Sequence, residues 1–164
     1  MQDFVHLHVH TQYSLLDGQA SVARLVDKAM KNGMKGIAVT DHGNMFGIKE
    51  FTNYVNKKNS GPKGEIKDLK KRIAGIEAGT VECEDKEAEI AACKAKIVEA
   101  ENKLFKPIIG CEMYVARRTM DLKEGKPDQS GYHLIVLAKN EKGYHNLIKL
   151  VSHAWTRGYY MRPR

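Results

Sequence analysis

Apolar and polar positions change period several times along the chain, and each change marks an element. Phe4 to His10 alternates, with Leu7 and Val9 on one side and His6, His8 and His10 on the other, which predicts a buried strand followed by a loop from Thr11 to Gly18. After Ser21, a candidate N-cap, the positions Val22, Leu25, Val26 and Ala29 follow helical spacing, and Gly33 suits the end of that helix. Gly36 to Thr40 is a short, partly β-branched apolar run that reads as a strand ending at Asp41-His42. A helix follows from about Met45 to Lys57, with Phe46, Ile48, Phe51, Tyr54 and Val55 as its apolar face. A pair of strands is expected over Pro107 to Ala116 and another strand over Tyr132 to Ala138. Asn140 can cap a last helix, in which Tyr144, Leu147, Ile148, Val151 and Ala154 recur before Gly158. Strands alternating with helices imply an α/β fold built on a parallel sheet or barrel, with its chemistry at the C-terminal strand ends. His10, His42 and Glu112 fall at or near such ends.

One segment departs from this rhythm. From Asn59-Ser60-Gly61-Pro62 to about Leu104 the composition turns to Lys, Glu and Ala. Ile66, Leu69, Ile73 and Ile76, then Ile90, Cys93, Ile97, Ala100 and Leu104, recur at intervals of three and four. Two amphipathic helices joined near Gly79-Thr80 are expected, a charged helical hairpin inserted over residues 59–105 between elements of the main domain.

Composition narrows the possibilities. At 164 residues and 42% hydrophobic content, the chain can bury the core of one domain or of part of a larger one. Its net charge of +7 suits a polyanionic partner such as DNA. No apolar run approaches the roughly 20 residues of a membrane span, and the N-terminus lacks the layout of a secretion signal, so a cytoplasmic protein without membrane contact is expected. The three cysteines, Cys83, Cys93 and Cys111, form no Cys-x-x-Cys pair, which supports neither a disulfide framework nor a zinc ribbon.

The chemistry concentrates in the histidines. Three imidazoles on one face of a strand are poor core material, whereas neutral imidazole is a common metal ligand, so a zinc-like or manganese-like centre is the first expectation. His6 reads as a core or supporting residue. His145 and His153, on a helix, read as solvent-facing, and Cys111 should point away from Glu112 if both lie in one strand. Arg157, Tyr160, Arg162 and Arg164 form a basic and aromatic stretch that could touch a DNA backbone and stacked bases.

Three motifs carry a resemblance: His8-Val9-His10-Thr11 with Tyr13 to Gly18, Thr40 to Gly47, and Lys106-Pro107-Ile108-Ile109-Gly110-Cys111-Glu112. Together they resemble the polymerase and histidinol phosphatase (PHP) domain. The later stretch from His133 to Asn140, with Gly143-Tyr144, Asn146-Leu147, Gly158-Tyr159-Tyr160 and Arg162-Pro163-Arg164, is similar to the branch of that family at the N-terminus of bacterial DNA polymerase III alpha subunits. The resemblance implies that residues 1–164 are the N-terminal portion of a distorted (β/α)7 PHP barrel holding up to three divalent ions. By position, the implied metal ligands are His8, His10, Asp17, His42, Glu112 and His133, with Asp41 orienting His42. Three further family ligands, a cysteine, an aspartate and a histidine, are expected beyond Arg164, so an unclosed barrel should bind metal more weakly than the complete domain.

Mixed imidazole and carboxylate ligands suit zinc, manganese or iron, and a carboxylate such as Glu112 can bridge two ions. The implied activity is that of a metal-dependent phosphoesterase using a metal-activated water: a 3′–5′ exonuclease that proofreads during DNA replication. The implied partners are DNA, the remainder of a nucleotidyltransferase chain, and a separate proofreading exonuclease with other replisome proteins. Two alternatives stand beside it: a metal-stapled, non-catalytic scaffold that docks such an exonuclease, and a free-standing phosphoesterase of the histidinol-phosphatase type.

Overall fold

The computed structural model describes residues 4–15, 17–129 and 131–164. In chain order the elements are α1 (Val22–Lys31), β1 (Gly36–Val39), α2 (Ile48–Lys58), α3 (Ser60–Glu77), α4 (Lys86–Asn102), β2 (Lys106–Val115), α5 (Lys126–Gln129), β3 (Tyr132–Leu137) and α6 (Glu141–Thr156). They form two compact units, one of positions up to Tyr54 together with Lys106–Arg164, the other Val55–Phe105. The class is mixed α/β, on a three-stranded sheet of order β1-β2-β3.

Strand β2 is the spine of the first unit. Its first half pairs in parallel with β1, Gly36 opposite Lys106 through Val39 opposite Ile109. Its second half pairs antiparallel with β3, Gly110 opposite Leu137 through Val115 opposite Tyr132. Two expectations are corrected here. The run over Pro107 to Ala116 is one ten-residue strand and not a pair. The last strand is antiparallel: among the described residues of the connection after β2 there is only the four-residue α5, too short to return the chain for parallel pairing.

The segment before α1 is also corrected. Residues 4–10 run beside β1 without forming a regular strand. Ala38 N–H donates to His6 O and Thr40 N–H to Val9 O, both at 2.9 Å. Three steps on one side thus face two on the other, so one extra residue is taken up at the bend at Leu7. An extra residue breaks the period of two. His6 therefore leaves the face of His8 and His10; it is exposed, its ring edge-on to Phe4 at 4.7 Å.

Helix α1 starts where Ser21 Oγ accepts from Arg24 N–H and ends before Gly33, whose φ of 76° lies in the left-handed region. It packs Val22, Val26 and Ala29 inward, against β1, and each fully buried valine contributes on the order of 1.5–3 kcal/mol. Helix α6 is capped by Asn140 Oδ1, which accepts from Gly143 N–H at 2.9 Å. Its Leu147 and Ala154 pack with Cys111 and Met113 of β2. Because strand side chains alternate, this packing turns Glu112 to the opposite face.

In the second unit α3 and α4 pack along one another, with an exposed Arg72–Glu89 ion pair at 2.9 Å between them. Gly79, with φ of 72°, follows α3, and Asp85 caps α4 by accepting from Ala88 N–H. The ends of this unit are clamped by one buried amide: Asn59 Nδ2 donates to Phe105 O at 2.8 Å, and Asn59 Oδ1 accepts from Phe105 N–H at 2.9 Å. No helix among the described residues is long and apolar enough to cross a membrane.

Candidate metal centre

The Glu112 side chain, on the β2 face turned from α6, is only 3% exposed and is enclosed by imidazoles. His8 Nε2 and His10 Nε2 approach Glu112 Oε2 at 3.1 and 3.2 Å. His42 Nδ1 meets Oε1 at 3.0 Å, and His133 Nδ1 meets the same oxygen. His42 Nε2 in turn faces Asp17 Oδ2 at 2.7 Å. The His10 and His42 rings stack with centroids 4.0 Å apart, and the His8 ring meets His10 edge-on at 4.7 Å. All six positions implied as ligands therefore converge, although the sequence separates them by as many as 125 residues, from His8 to His133. Donor atoms of His8, His10 and Glu112 lie within 4.8 Å of one another, as do those of His42, Glu112 and His133, so two triads share one carboxylate.

Loop packing places the first two histidines. Val9 N–H donates to Thr40 Oγ1, and His8 Nδ1 lies 2.9 Å from the same oxygen. His10 Nδ1 lies 3.0 Å from Ser14 Oγ. Ser14 Oγ also donates its hydrogen to Asp41 Oδ1 at 2.7 Å, since a carboxylate can only accept, and it accepts from His42 N–H at 3.2 Å. With that hydrogen committed, the contact with His10 requires a proton on Nδ1. A neutral His10 thus aims the bare lone pair of Nε2 at a carboxylate oxygen.

Two facing acceptors repel unless a positive charge lies between them. A proton is disfavoured there: burial, reinforced by His42 and His8 and opposed by Glu112 and Asp17, pushes the pKa of His10 below its ordinary value. His42 poses the same problem, because both its ring nitrogens face carboxylates and a neutral ring carries one N–H. The donor chemistry fits divalent cations, with imidazole nitrogens and a carboxylate able to bridge.

Asp41 differs from its expected role. Its carboxylate accepts from Thr11 N–H at 2.6 Å, Thr11 Oγ1 at 2.9 Å and Ser14 Oγ, so it closes the loop after His10 and reaches that ring through Ser14, while the His42 ring is held by Asp17 and Glu112. Asp17 lies on the rim, its pKa below the usual carboxylate range through its hydrogen bond with His42. Cys111 points away from the cluster; its thiol, pushed up to about 12 chiefly by burial, donates to Asp41 O at 3.4 Å. Tyr114, at the next position on the Glu112 face, stands edge-on to His133 at 4.9 Å. Ser14, Thr40, Thr11 and Tyr114 escaped the reading of the sequence. Thr11, Ser14 and Thr40 sit inside the motifs, but a hydroxyl carries no charge pattern that singles it out.

The basic C-terminal stretch is not one surface. Arg157 and Arg162 are exposed, with Arg157 Nη2 3.6 Å from Asp121. Tyr160 Oη accepts from Gly125 N–H at 3.1 Å. Arg164, expected to reach DNA, is 5% exposed; it donates to Leu122 O at 2.7 Å and lies over the Tyr160 ring. His145 and His153 are exposed on α6, as expected.

A sheet with α/β connections, bearing on its central strand a carboxylate ringed by imidazoles, defines a class, and a family model agrees with it. The chain belongs to the PHP domain family, whose model matches residues 6–97 and 86–164. That family is metal-dependent, and the histidine and glutamate groups here could hold a metal ion. The sequence is similar to the DNA polymerase III subunit alpha of Borreliella burgdorferi, 41% identical over 164 residues, and of Treponema pallidum, 40% identical over 162. It is also 33% identical over 169 residues to that of Aquifex aeolicus. The matches to the first two cover 98% of this chain and 10% of each relative, so the chain spans about a tenth of their length. It is homologous to their PHP domain.

Proposed function

We propose that this chain is the front of the PHP barrel of a replicative DNA polymerase alpha subunit, and that its histidine and carboxylate cluster serves a metal-dependent phosphoesterase that trims DNA 3′ ends. The observation that carries the metal assignment is the pair of Ser14 contacts, to Asp41 and to His10 Nδ1, which call for the proton of a neutral His10 on Nδ1 and leave Nε2 and Glu112 Oε2 as facing acceptors. His8, His10 and Glu112 would hold one ion, and His42, His133 and Glu112 a second, with Asp17 completing the His42 side. Zinc, manganese and iron all suit this donor set. When bound, two such ions would supply charge stabilisation to a phosphoester displacement and a nucleophile at neutral pH.

The protein's own residues do the rest. Thr40 and Ser14 hold the rings of His8 and His10 so that their Nε2 atoms converge, and burial of Glu112 keeps its charge from being screened by water. Similarity to polymerase alpha subunits supports DNA and the remainder of such a chain as partners, and a proofreading exonuclease subunit as a further one. The three strands would then be part of the distorted seven-fold barrel, with residues 59–105 as its inserted helical hairpin.

Loading the chain with zinc, manganese or ferrous iron should raise its melting temperature, because a ligand bound only by the folded state stabilises it by about 2.7 kcal/mol at a hundred times its dissociation constant. A polymerase chain carrying this segment should then shorten a primer with a mismatched 3′ end, and Glu112→Gln should abolish both effects. Metal-dependent melting without any metal-dependent shortening would refute the nuclease and leave the stapled scaffold.

A further inference from the structure

A cavity of about 200 Å³ opens beside the cluster, and His42 belongs to both. Its other walls include Phe46, Tyr114, Trp155, Tyr159 and Arg162. Phe46 is 68% exposed, Tyr159 48% and Trp155 43%, a costly arrangement because each aromatic side chain can bury 150–250 Å². These rings are nevertheless held in place. Trp155 Nε1 donates to Gly43 O at 2.7 Å, which fixes the edge of the indole, and Tyr159 stacks offset against one of its faces at 5.6 Å with planes 16° apart. Gly43 itself has a φ of 58°, which suits glycine, and a Cβ there would lie 2.7 Å from Pro163 Cγ, so the turn packs closely against Pro163 and Tyr114. At the rim the Arg162 guanidinium stands 5.0 Å from the Tyr114 ring centroid.

A ligand that reaches from His42 into this cleft needs a phosphoester at one end and a flat, apolar group at the other, with negative charge near Arg162. A nucleotide has that form, and the net charge of +7 favours a strand of them. An apolar peptide would satisfy the rings but would leave Arg162 and the neighbouring cation site without an anion. We propose that the cleft between Phe46, Trp155 and Tyr159 is a base-stacking subsite that receives the terminal nucleobase of single-stranded DNA beside the metal centre. The assignment rests on the phosphoesterase reading for its orientation and extends it with a substrate-binding surface.

Trp155 is the chain's one tryptophan, so its emission reports the subsite directly. The chain is titrated with a short oligothymidylate in the presence of a chelator, so that binding is read without hydrolysis, and then with an abasic strand of equal length. Saturable quenching by oligothymidylate and none by the abasic strand are expected. Tyr159→Ala and Phe46→Ala, both checked for folding by circular dichroism, should each weaken oligothymidylate binding roughly 5- to 150-fold. Arg162→Ala should likewise weaken oligothymidylate binding. Equal binding of the two strands, or unchanged affinity in the folded Tyr159 and Phe46 variants, overturns the subsite even where metal-dependent hydrolysis persists. Quenching that persists where hydrolysis is absent upholds the subsite and removes the phosphoesterase instead.

Discussion

Replacing Ser14 by alanine removes one oxygen at which three groups meet, and it tests the tautomer reasoning more sharply than removal of any ligand. In the folded chain Ser14 Oγ donates to Asp41 Oδ1 at 2.7 Å, accepts from His10 Nδ1–H at 3.0 Å and accepts from His42 N–H at 3.2 Å. Alanine leaves two donors without an acceptor and takes from Asp41 one of its three donors, at a fully buried position. A stranded buried group costs about 1–3 kcal/mol. His10 is only partly buried and water can relieve its ring, so a total on the order of 2–4 kcal/mol is expected. For a domain of this size that lowers the melting temperature by roughly 5–15 °C. His10 also loses the group that fixes its proton on Nδ1, and such a loss weakens metal binding by about 10- to 100-fold. Thermal melts without metal give the first quantity, and competition with a chelating dye gives the second. Nitrogen-15 spectra of the imidazoles give the tautomer: Nδ1–H for His10 in the parent protein, a mixture in the variant. A Ser14→Ala protein that keeps the pure tautomer and binds zinc as tightly as its parent would show that Asp41 and Ser14 do not govern His10.

Three other outcomes follow from groups outside the cluster. Asp128 is held below the usual carboxylate range first by Arg118, and also by Glu124 N–H, which donates to it at 2.8 Å. A depressed carboxylate stabilises the fold above its ordinary pKa and loses that contribution as the pH falls through the lowered value, so Asp128→Asn should reduce stability at neutral pH and flatten the acid limb of a pH–stability curve; an unchanged acid limb refutes the pairing. Cys111, with a thiol at about 12, and buried Cys93 should resist alkylation at mild alkaline pH while partly exposed Cys83 reacts, as mass spectrometry of the native protein would report; rapid labelling of Cys111 contradicts its packing. Asn59→Ala removes both hydrogen bonds to Phe105 from a buried site, and a loss of about 2–4 kcal/mol is expected in denaturant unfolding; a change near zero would mean the amide clamp does not hold the ends of that unit.

Much of the fold was legible because its elements are set by local periodicity. Ser21, Gly33 and Asn140 occupy the capping positions their chemistry suggests, and of the residues that recur at helical spacing α1 buries Val22, Val26 and Ala29 and α6 buries Leu147 and Ala154, while Ile148 is exposed. The errors lie where a neighbouring segment decides. Nothing between Lys106 and Val115 says that one strand will serve two partners of opposite direction, and the antiparallel direction of β3 goes with the shortness of α5, the helix described between β2 and β3. The alternation of His6, His8 and His10 was read as one face. The extra residue at Leu7 that turns His6 away is visible only in the hydrogen bonds to Ala38 and Thr40.

For the site, residue types pointed to the ligands and were silent on what aims them. Asp41 and Glu112 are both buried carboxylates next to imidazole-bearing segments, and charge alone does not tell them apart. Their partners do. Asp41 faces a backbone N–H and two hydroxyls, all of which donate, so its charge is satisfied without a metal and its effect on the cluster passes through Ser14. Glu112 faces only imidazole nitrogens, of which at least that of His10 carries no proton in the neutral ring. One carboxylate therefore builds the loop and the other is placed where it could hold a cation, a division that follows from where each donor's hydrogen must go. Burial, reinforced by the neighbouring His42 and His8 rings, pushes the pKa of His10 down, so the ring resists a second proton and its Nε2 keeps a lone pair directed at Glu112.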